Sequence, residues 1–317
     1  MTLTEADVRA PVAGLRSRLE TALVGHGALI ERLLIGLLAG GHVLIEGPPG
    51  IAKTRAVKRL AAAVDAGFAR IQCTPDLLPS DLTGTPVLRP ATGDFEFVRG
   101  PVFRNIVLAD EINRAPPKVQ SALLEAMAEA QVTSGTETHR LPDPFFVVAT
   151  QNPIEHEGTF PLPEAQLDRF LLHVVLGLPD RTVERAILDL VEAETSVAPE
   201  AAVLTTADVI AAKSQAMAVH LAPPLRDYIV RLVVATREPP FREHVEHPVS
   251  PRGSLALAAS AKARAWLAGR DHALPEDVMA LAPDALAHRM VLTWKAVADG
   301  RTARGLIAEV LAGTDPI

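Results

Sequence analysis

Short apolar runs alternate with stretches of helical periodicity along the first half of the chain. His42-Val43-Leu44-Ile45-Glu46, Phe68-Ala69-Arg70-Ile71-Gln72-Cys73-Thr74, Asn105-Ile106-Val107-Leu108-Ala109, Phe145-Phe146-Val147-Val148-Ala149-Thr150 and Leu171-Leu172-His173-Val174-Val175 read as strands. Between the first two, residues 55–64 place Ala56, Leu60, Ala63 and Val64 on one helical face. Residues 116–130 do the same with Val119, Leu123, Leu124 and Met127, and Pro116-Pro117 suits a helix start. Ahead of the first strand, residues 4–23 and 28–38 predict two helices separated by Val24-Gly25-His26-Gly27. Such alternation predicts an α/β class with a parallel sheet. From Asp180 onward only helical spacing is found, at 181–192, 207–219, 224–237, 252–268 and 275–288. The expected division is an α/β domain over residues 1–179 and a smaller helical domain over 180–317.

Two segments interrupt the alternation. Residues 75–103 are rich in proline and glycine, yet Thr85-Pro86-Val87-Leu88 and Phe95-Glu96-Phe97-Val98 flank Ala91-Thr92-Gly93-Asp94 as the arms of a β-hairpin would. An excursion of this length inside a compact domain points to function. Residues 131–144 offer a second hairpin around Ser134-Gly135.

Composition narrows the picture. Hydrophobic residues make up 48% of the 317 positions and charged residues 22%, so the chain can build a core. Aromatics are only 4%, so that core is made of Ala, Val, Leu and Ile. The net charge of −7 argues against a surface built wholly to attract nucleic acid. The single cysteine, Cys73, excludes an intrachain disulfide and reads as a small core residue. The five histidines after residue 180 (His220, His244, His247, His272 and His288) show no ligand spacing. Residues 1–25 carry charges without an apolar core, and residues 33–45 are too short and glycine-broken to span a bilayer. The expectation is a cytoplasmic protein.

Gly47-Pro48-Pro49-Gly50-Ile51-Ala52-Lys53-Thr54 follows the first strand and opens a helix. Small residues there let backbone N–H groups turn inward, and the helix N-terminus adds its positive dipole end, which together make a phosphate cradle. Lys53 can reach the β- and γ-phosphates and Thr54 can sit on Mg²⁺. Ala52 stands where the strict pattern has a second glycine. The third strand ends in Asp110-Glu111, acids at the carboxyl edge of a sheet, where open α/β folds bind ligands. Asp110 suits a water-mediated Mg²⁺ partner and Glu111 a group that orients or deprotonates water. Asn152, after the fourth strand, can contact a γ-phosphate or water, or form an ordinary Asn-Pro turn. Arg169 stands at the end of a short helix before the last strand.

With Leu108-Ala109-Asp110-Glu111-Ile112-Asn113-Arg114-Ala115, Ala149-Thr150-Gln151-Asn152-Pro153, Leu162-Pro163-Glu164-Ala165-Gln166-Leu167-Asp168-Arg169-Phe170 and Ser250-Pro251-Arg252-Gly253, the chain resembles the MoxR family of AAA+ ATPases. The Ala-Lys-Thr form of the phosphate loop looks typical of that family. The resemblance implies a five-stranded parallel αβα core, a smaller all-helical lid and a ring of subunits, most often six. It makes Asn152 the sensor 1 residue, Arg169 the arginine finger and Arg252 the sensor 2 residue. It places Val24 and Gly25 against the base, and reads 75–103 as the helix-2 insert and 131–144 as the hairpin before sensor 1. It implies ATP and Mg²⁺ as cofactors and a chaperone that remodels protein complexes, often with a partner carrying a von Willebrand factor A domain. A nucleic-acid motor built on the same core is the alternative, and DNA-stimulated hydrolysis discriminates it. A nucleotide-gated binding protein with little turnover is a third reading, which the pair Asp110 and Glu111 argues against.

Overall fold

A computed structural model describes residues 8–51, 53–91, 93–153, 158–193 and 202–316. In chain order the elements are α1 (Arg9–Ala22), α2 (Gly27–Ala39), β1 (Val43–Glu46), α3 (Lys53–Ala63), β2 (Val64–Asp65) and β3 (Phe68–Gln72). They continue with α4 (Pro79–Thr83), β4 (Gly84–Leu88), β5 (Phe95–Arg99), β6 (Ile106–Asp110), α5 (Pro117–Glu129), β7 (Gln131–Ser134) and β8 (Glu137–Arg140). Then follow β9 (Phe146–Gln151), α6 (Glu164–Leu167), β10 (Leu172–Val175), α7 (Arg181–Ala193), β11 (Leu204–Thr205) and α8 (Thr206–Ala218). The chain closes with α9 (Pro223–Ala235), β12 (Val245–His247), α10 (Pro251–Leu267), α11 (Pro275–Leu286), β13 (Val291–Leu292), α12 (Trp294–Ala298) and α13 (Ala303–Ala312).

The five predicted strands form one parallel sheet in the order β10-β1-β9-β6-β3. Alternate residues of each strand go to opposite faces, and both faces are apolar. Val43, Ile45, Ile106, Leu108, Phe146 and Val148 pack with α1, α2 and α3 on one side. Leu44, Val107, Ala109, Val147 and Ala149 pack with Leu123 and Leu124 of α5 on the other. The result is the expected αβα sandwich. The five helical spacings read after residue 180 correspond to α7 through α11.

Helices α8 to α11 and α13 are not separated from the sheet by a gap in the packing. Their buried residues, among them Leu225, Tyr228, Leu257, Leu281 and Leu306, continue the apolar cluster on the α2 face, where α2 meets α8 and α10. Two short strand pairs interrupt the helical pattern there. β12 and β13 pair antiparallel, and β11 pairs in parallel with β2. Val64, read above as the end of a helical face, is instead extended in that second pair, beside Leu204, and is still buried. Strands of two or three residues are too short for hydrophobic periodicity to register.

Both interruptions of the core are hairpins. β4 and β5 pair antiparallel from Gly84–Arg99 to Leu88–Phe95, and β7 and β8 from Gln131–Arg140 to Ser134–Glu137. They also touch: the Phe97 ring stacks on His139 with centroids 4.2 Å apart. The first hairpin leaves Leu88, Phe95 and Val98 exposed.

Candidate nucleotide site and catalytic edge

The phosphate loop follows the carboxyl end of β1, and the neighbouring strands β9 and β6 end at the same edge. Ala52 of the loop lies outside the described residues. Gly50 has φ +86°, a conformation that side chains rarely adopt and one that lets the loop turn. Lys53 opens α3 and is buried, its Nζ donating to Gly47 O (2.6 Å) and Gln151 O (3.2 Å). The Gln151 carbonyl also accepts from Gly47 N (3.3 Å). The loop is therefore tied to the turn that carries Asn152, which is itself buried.

Asp110 ends β6 and meets groups from three elements. Thr150 Oγ1 donates to its Oδ1 at 2.6 Å and Thr54 Oγ1 to its Oδ2 at 3.2 Å. Arg70 of β3 donates to Oδ2 from Nε (3.1 Å) and Nη2 (2.6 Å). Burial disfavours the charged carboxylate, but the hydrogen bonds from Thr150, Arg70 and Thr54 and the Arg70 charge outweigh it. Its pKa is below the ordinary carboxylate value. Glu111 has left-handed backbone at φ 57°, a strain that persists only where surroundings hold it. Its N–H donates to Thr150 Oγ1 at 2.9 Å, and its Oε2 accepts from Gln72 Nε2 and Arg114 Nη1, each at 3.1 Å.

Thr150, Arg70 and Gln72 bond to the two acids and were not singled out by sequence reasoning. Thr150 is fully buried, one step beyond the Ala109–Ala149 pair, so the register sets its hydroxyl between the two acids. Arg70 and Gln72 are two residues apart on β3, opposite Leu108 and Asp110, so both face one side. A polar pair with period two at the end of an otherwise apolar strand was the signal. Cys73 is buried as expected, and burial with the nearby charges of Asp110 and Glu111 pushes its thiol up to about 12.

Beside the phosphate loop lies a cavity of about 260 Å³ lined by Val24, His26, Pro49, Ile51, Leu178 and Ile187, among others. Val24 thus faces the space expected for a base. Gly25 does not line it, but its φ of +80° and the close approach of Val183 leave room for no other residue in that turn. No ligand is needed to see the fit to a magnesium nucleotide. The hydroxyl of Thr54 and the carboxylate of Asp110 are hard oxygen donors already within hydrogen-bond reach of each other.

Arg169 and Arg252 are not brought to this edge. β10 runs parallel to β1 with Leu172 beside Val43 and Val175 beside Glu46. Arg169 precedes Leu172, so the length of the strand, about 13 Å at ~3.3 Å per residue, separates it from the level of the phosphate loop. Arg169 is exposed and its Nη1 donates to Leu124 O at 3.1 Å. It does not take up the adjacent Asp168, whose carboxylate is held by Ser250, Arg252 (3.6 Å) and Arg289 (2.9 Å). The two arginines assigned to charge stabilisation thus lie together, at the far end of the sheet from their own phosphate loop.

Residues 42–172 match the model of the ATPase family associated with various cellular activities (AAA), and residues 241–310 that of the AAA lid domain. The chain is 47% identical over 297 residues to Chaperone MoxR1 of Mycobacterium tuberculosis, covering 91% of this chain and 78% of that protein. The chain belongs to the MoxR family of AAA+ ATPases. To Protein MoxR of Methylorubrum extorquens it is 32% identical, covering 90% of this chain and 89% of the relative. A crystal structure of a Cytophaga hutchinsonii protein assigned as an ATPase superposes with TM-score 0.91 at 42% identity, over 98% of this chain and 96% of that one. The AAA match spans the β1, β6 and β9 edge, and the AAA lid match spans α10, α11 and α12 and most of α13. No helix among the described residues is long and apolar enough to cross a membrane.

Proposed function

We propose that the chain is a Mg²⁺-dependent ATP hydrolase that works as a ring, most often of six, and remodels or matures protein complexes as a chaperone. The observation that carries the catalytic part is Thr150. One buried hydroxyl joins Asp110 to the backbone of Glu111, one residue before the turn that bonds Lys53 and the phosphate loop.

In this reading the α3 N-terminus and Lys53 receive the β- and γ-phosphates. Thr54 and Asp110 would hold Mg²⁺, which supplies charge neutralisation across the phosphate oxygens when bound. Glu111, released from Gln72 and Arg114, orients the attacking water and takes its proton at a side-chain oxygen; Asn152 aligns that water. Arg169 and Arg252 point away from their own site and serve the nucleotide of a neighbouring subunit, where fixed cations favour charge developing on the transferred group. The two hairpins face the client, and the name of the MoxR1 relative supports the chaperone role. A partner with a von Willebrand factor A domain belongs to the same reading.

Equilibrium nucleotide binding and phosphate release test it together. Lys53→Ala should lose ATP binding, since the amine meets phosphate in the ground state. Glu111→Gln should bind ATP as the unaltered protein does and lose turnover by about 10²–10⁴. Equal ATP affinity for Lys53→Ala and the unaltered protein would sink the assignment.

A further inference from the structure

Arg289 lies in the single 3₁₀ turn after α11, and its side chain is only 3% exposed. A guanidinium has five N–H donors and no way to shed its charge at neutral pH, so burying one demands five acceptors. It finds them. Nε donates to Asp168 Oδ1 (2.9 Å), Nη1 to Leu171 O (3.3 Å) and Ala285 O, and Nη2 to Asp168 O (3.2 Å) and Phe170 O. Four of these bonds end on the segment 168–171 between α6 and β10. They use the carbonyl of every residue in it except Arg169. His288 Nε2 reaches Phe170 O at 3.1 Å, and Ser250 Oγ donates to Asp168. The backbone on both sides of Arg169 is therefore pinned from the lid of the same chain, while the Arg169 side chain is left exposed.

We infer that Arg289 is the positioning residue of the arginine finger: it sets where Arg169 stands, so that the lid controls hydrolysis in the neighbouring subunit. This rests on the reading of Arg169 as a finger acting in trans. The physical case is that a finger must meet a phosphoryl group to within a fraction of an ångström. A backbone segment of four residues cannot hold that position by itself. A misplacement of about 1 Å costs on the order of a hundredfold in rate.

The test is directional complementation in mixed rings, read by phosphate release, with nucleotide affinity and thermal melting measured alongside. Arg289→Lys keeps the charge but cannot meet five acceptors. It should lower kcat about a hundredfold while ATP affinity stays within about twofold, because its own phosphate loop is intact. Mixing it with Lys53→Ala subunits should restore hydrolysis, since those subunits bring a well-placed finger to its nucleotide. Mixing it with Arg169→Ala subunits should restore none. A merely structural role predicts no such difference between partners. If Arg289→Lys does not fold, Asp168→Asn carries the same test, because it removes the carboxylate and leaves the four carbonyl acceptors. Full activity of a folded variant, or equal recovery with both partners, overturns the proposal. Failure of Arg169→Ala and Lys53→Ala to complement each other overturns the trans reading itself, and the positioning role with it.

Discussion

Arg70 neutralises Asp110 from β3, on the same oxygen that Thr54 approaches. Its side chain is 42% exposed, so the pair contributes at most about 1 kcal/mol, and displacing it from Asp110 is a small barrier to a metal ion. Arg70→Met should therefore tighten binding of magnesium nucleotide by up to about fivefold and leave binding in EDTA unchanged. A loss of affinity in magnesium would show instead that Arg70 helps to hold the nucleotide. A second residue-scale effect concerns His42. Its Nδ1 accepts from Val147 N (3.0 Å) and its Nε2 lies 3.1 Å from Met127 O, so the neutral ring is satisfied. Burial, with the Lys213 charge, lowers its pKa from 6.5 to about 4 against the opposing bond to Met127. Above pH 6.5 the ring is neutral folded or unfolded and stability is unaffected. Below that the unfolded chain binds the extra proton, so stability falls as pH drops towards about 4, by up to about 3 kcal/mol. Urea unfolding of His42→Gln between neutral pH and about pH 4 should show a shallower loss than the unaltered protein. An identical slope would remove His42 from the account.

The hairpin β4–β5 shows what an element can do outside the sheet. Its turn is closed by its own backbone bonds, Arg89 N to Asp94 O and Gly93 N to Arg89 O, both 2.8 Å. Most of its apolar side chains are exposed, and Phe97 is the exception that rests on His139 of the second hairpin. The described residues of the stretch 91–94, Ala91, Gly93 and Asp94, are all exposed, so the deletion takes none of them from the core. The shortened protein should melt and hydrolyse ATP nearly as before, but couple less to a client. Differential scanning fluorimetry and phosphate release decide this, and an unfolded product would mean the hairpin is part of the core. An aromatic stack of this kind is worth about 0.5–1.5 kcal/mol, a modest link between the two hairpins.

At the scale of the whole molecule, the arginines and the phosphate loop occupy opposite ends of one sheet. In the proposed ring, the arginine end of each subunit would face the loop end of the next. Arg169→Ala and Lys53→Ala should each be inactive alone, and mixing them should return a fraction of the activity. A finger supplied in trans can be worth about 10³–10⁵ in rate, so the recovery should be easy to detect. Mixtures that exchange subunits and stay inactive would leave the trans role without support. The continuous apolar cluster from the sheet through α2 to α10 and α11 says that lid and core of one subunit are held together by packing as well as by Arg289.

The amino-acid sequence by itself determined the five sheet strands and the helices that alternate with them, the phosphate loop, the paired acids and both hairpins. Each is encoded locally: apolar runs of strand length, glycines where the chain must turn, and acids at a strand end. It also carried Asn152, which follows its strand directly. Strand order, and with it the role of Thr150, was decided only by the tertiary structure. A hydroxyl inside an apolar strand has no local signature, and it becomes a link between Asp110 and Glu111 once register sets β9 beside β6. Arg70 acquires its partner the same way, across β3 and β6. Arg289, 120 residues from Arg169, is the extreme case. Nothing in a lid helix announces that the turn after it will make four hydrogen bonds to the segment before β10, because that depends on how two separately encoded surfaces pack.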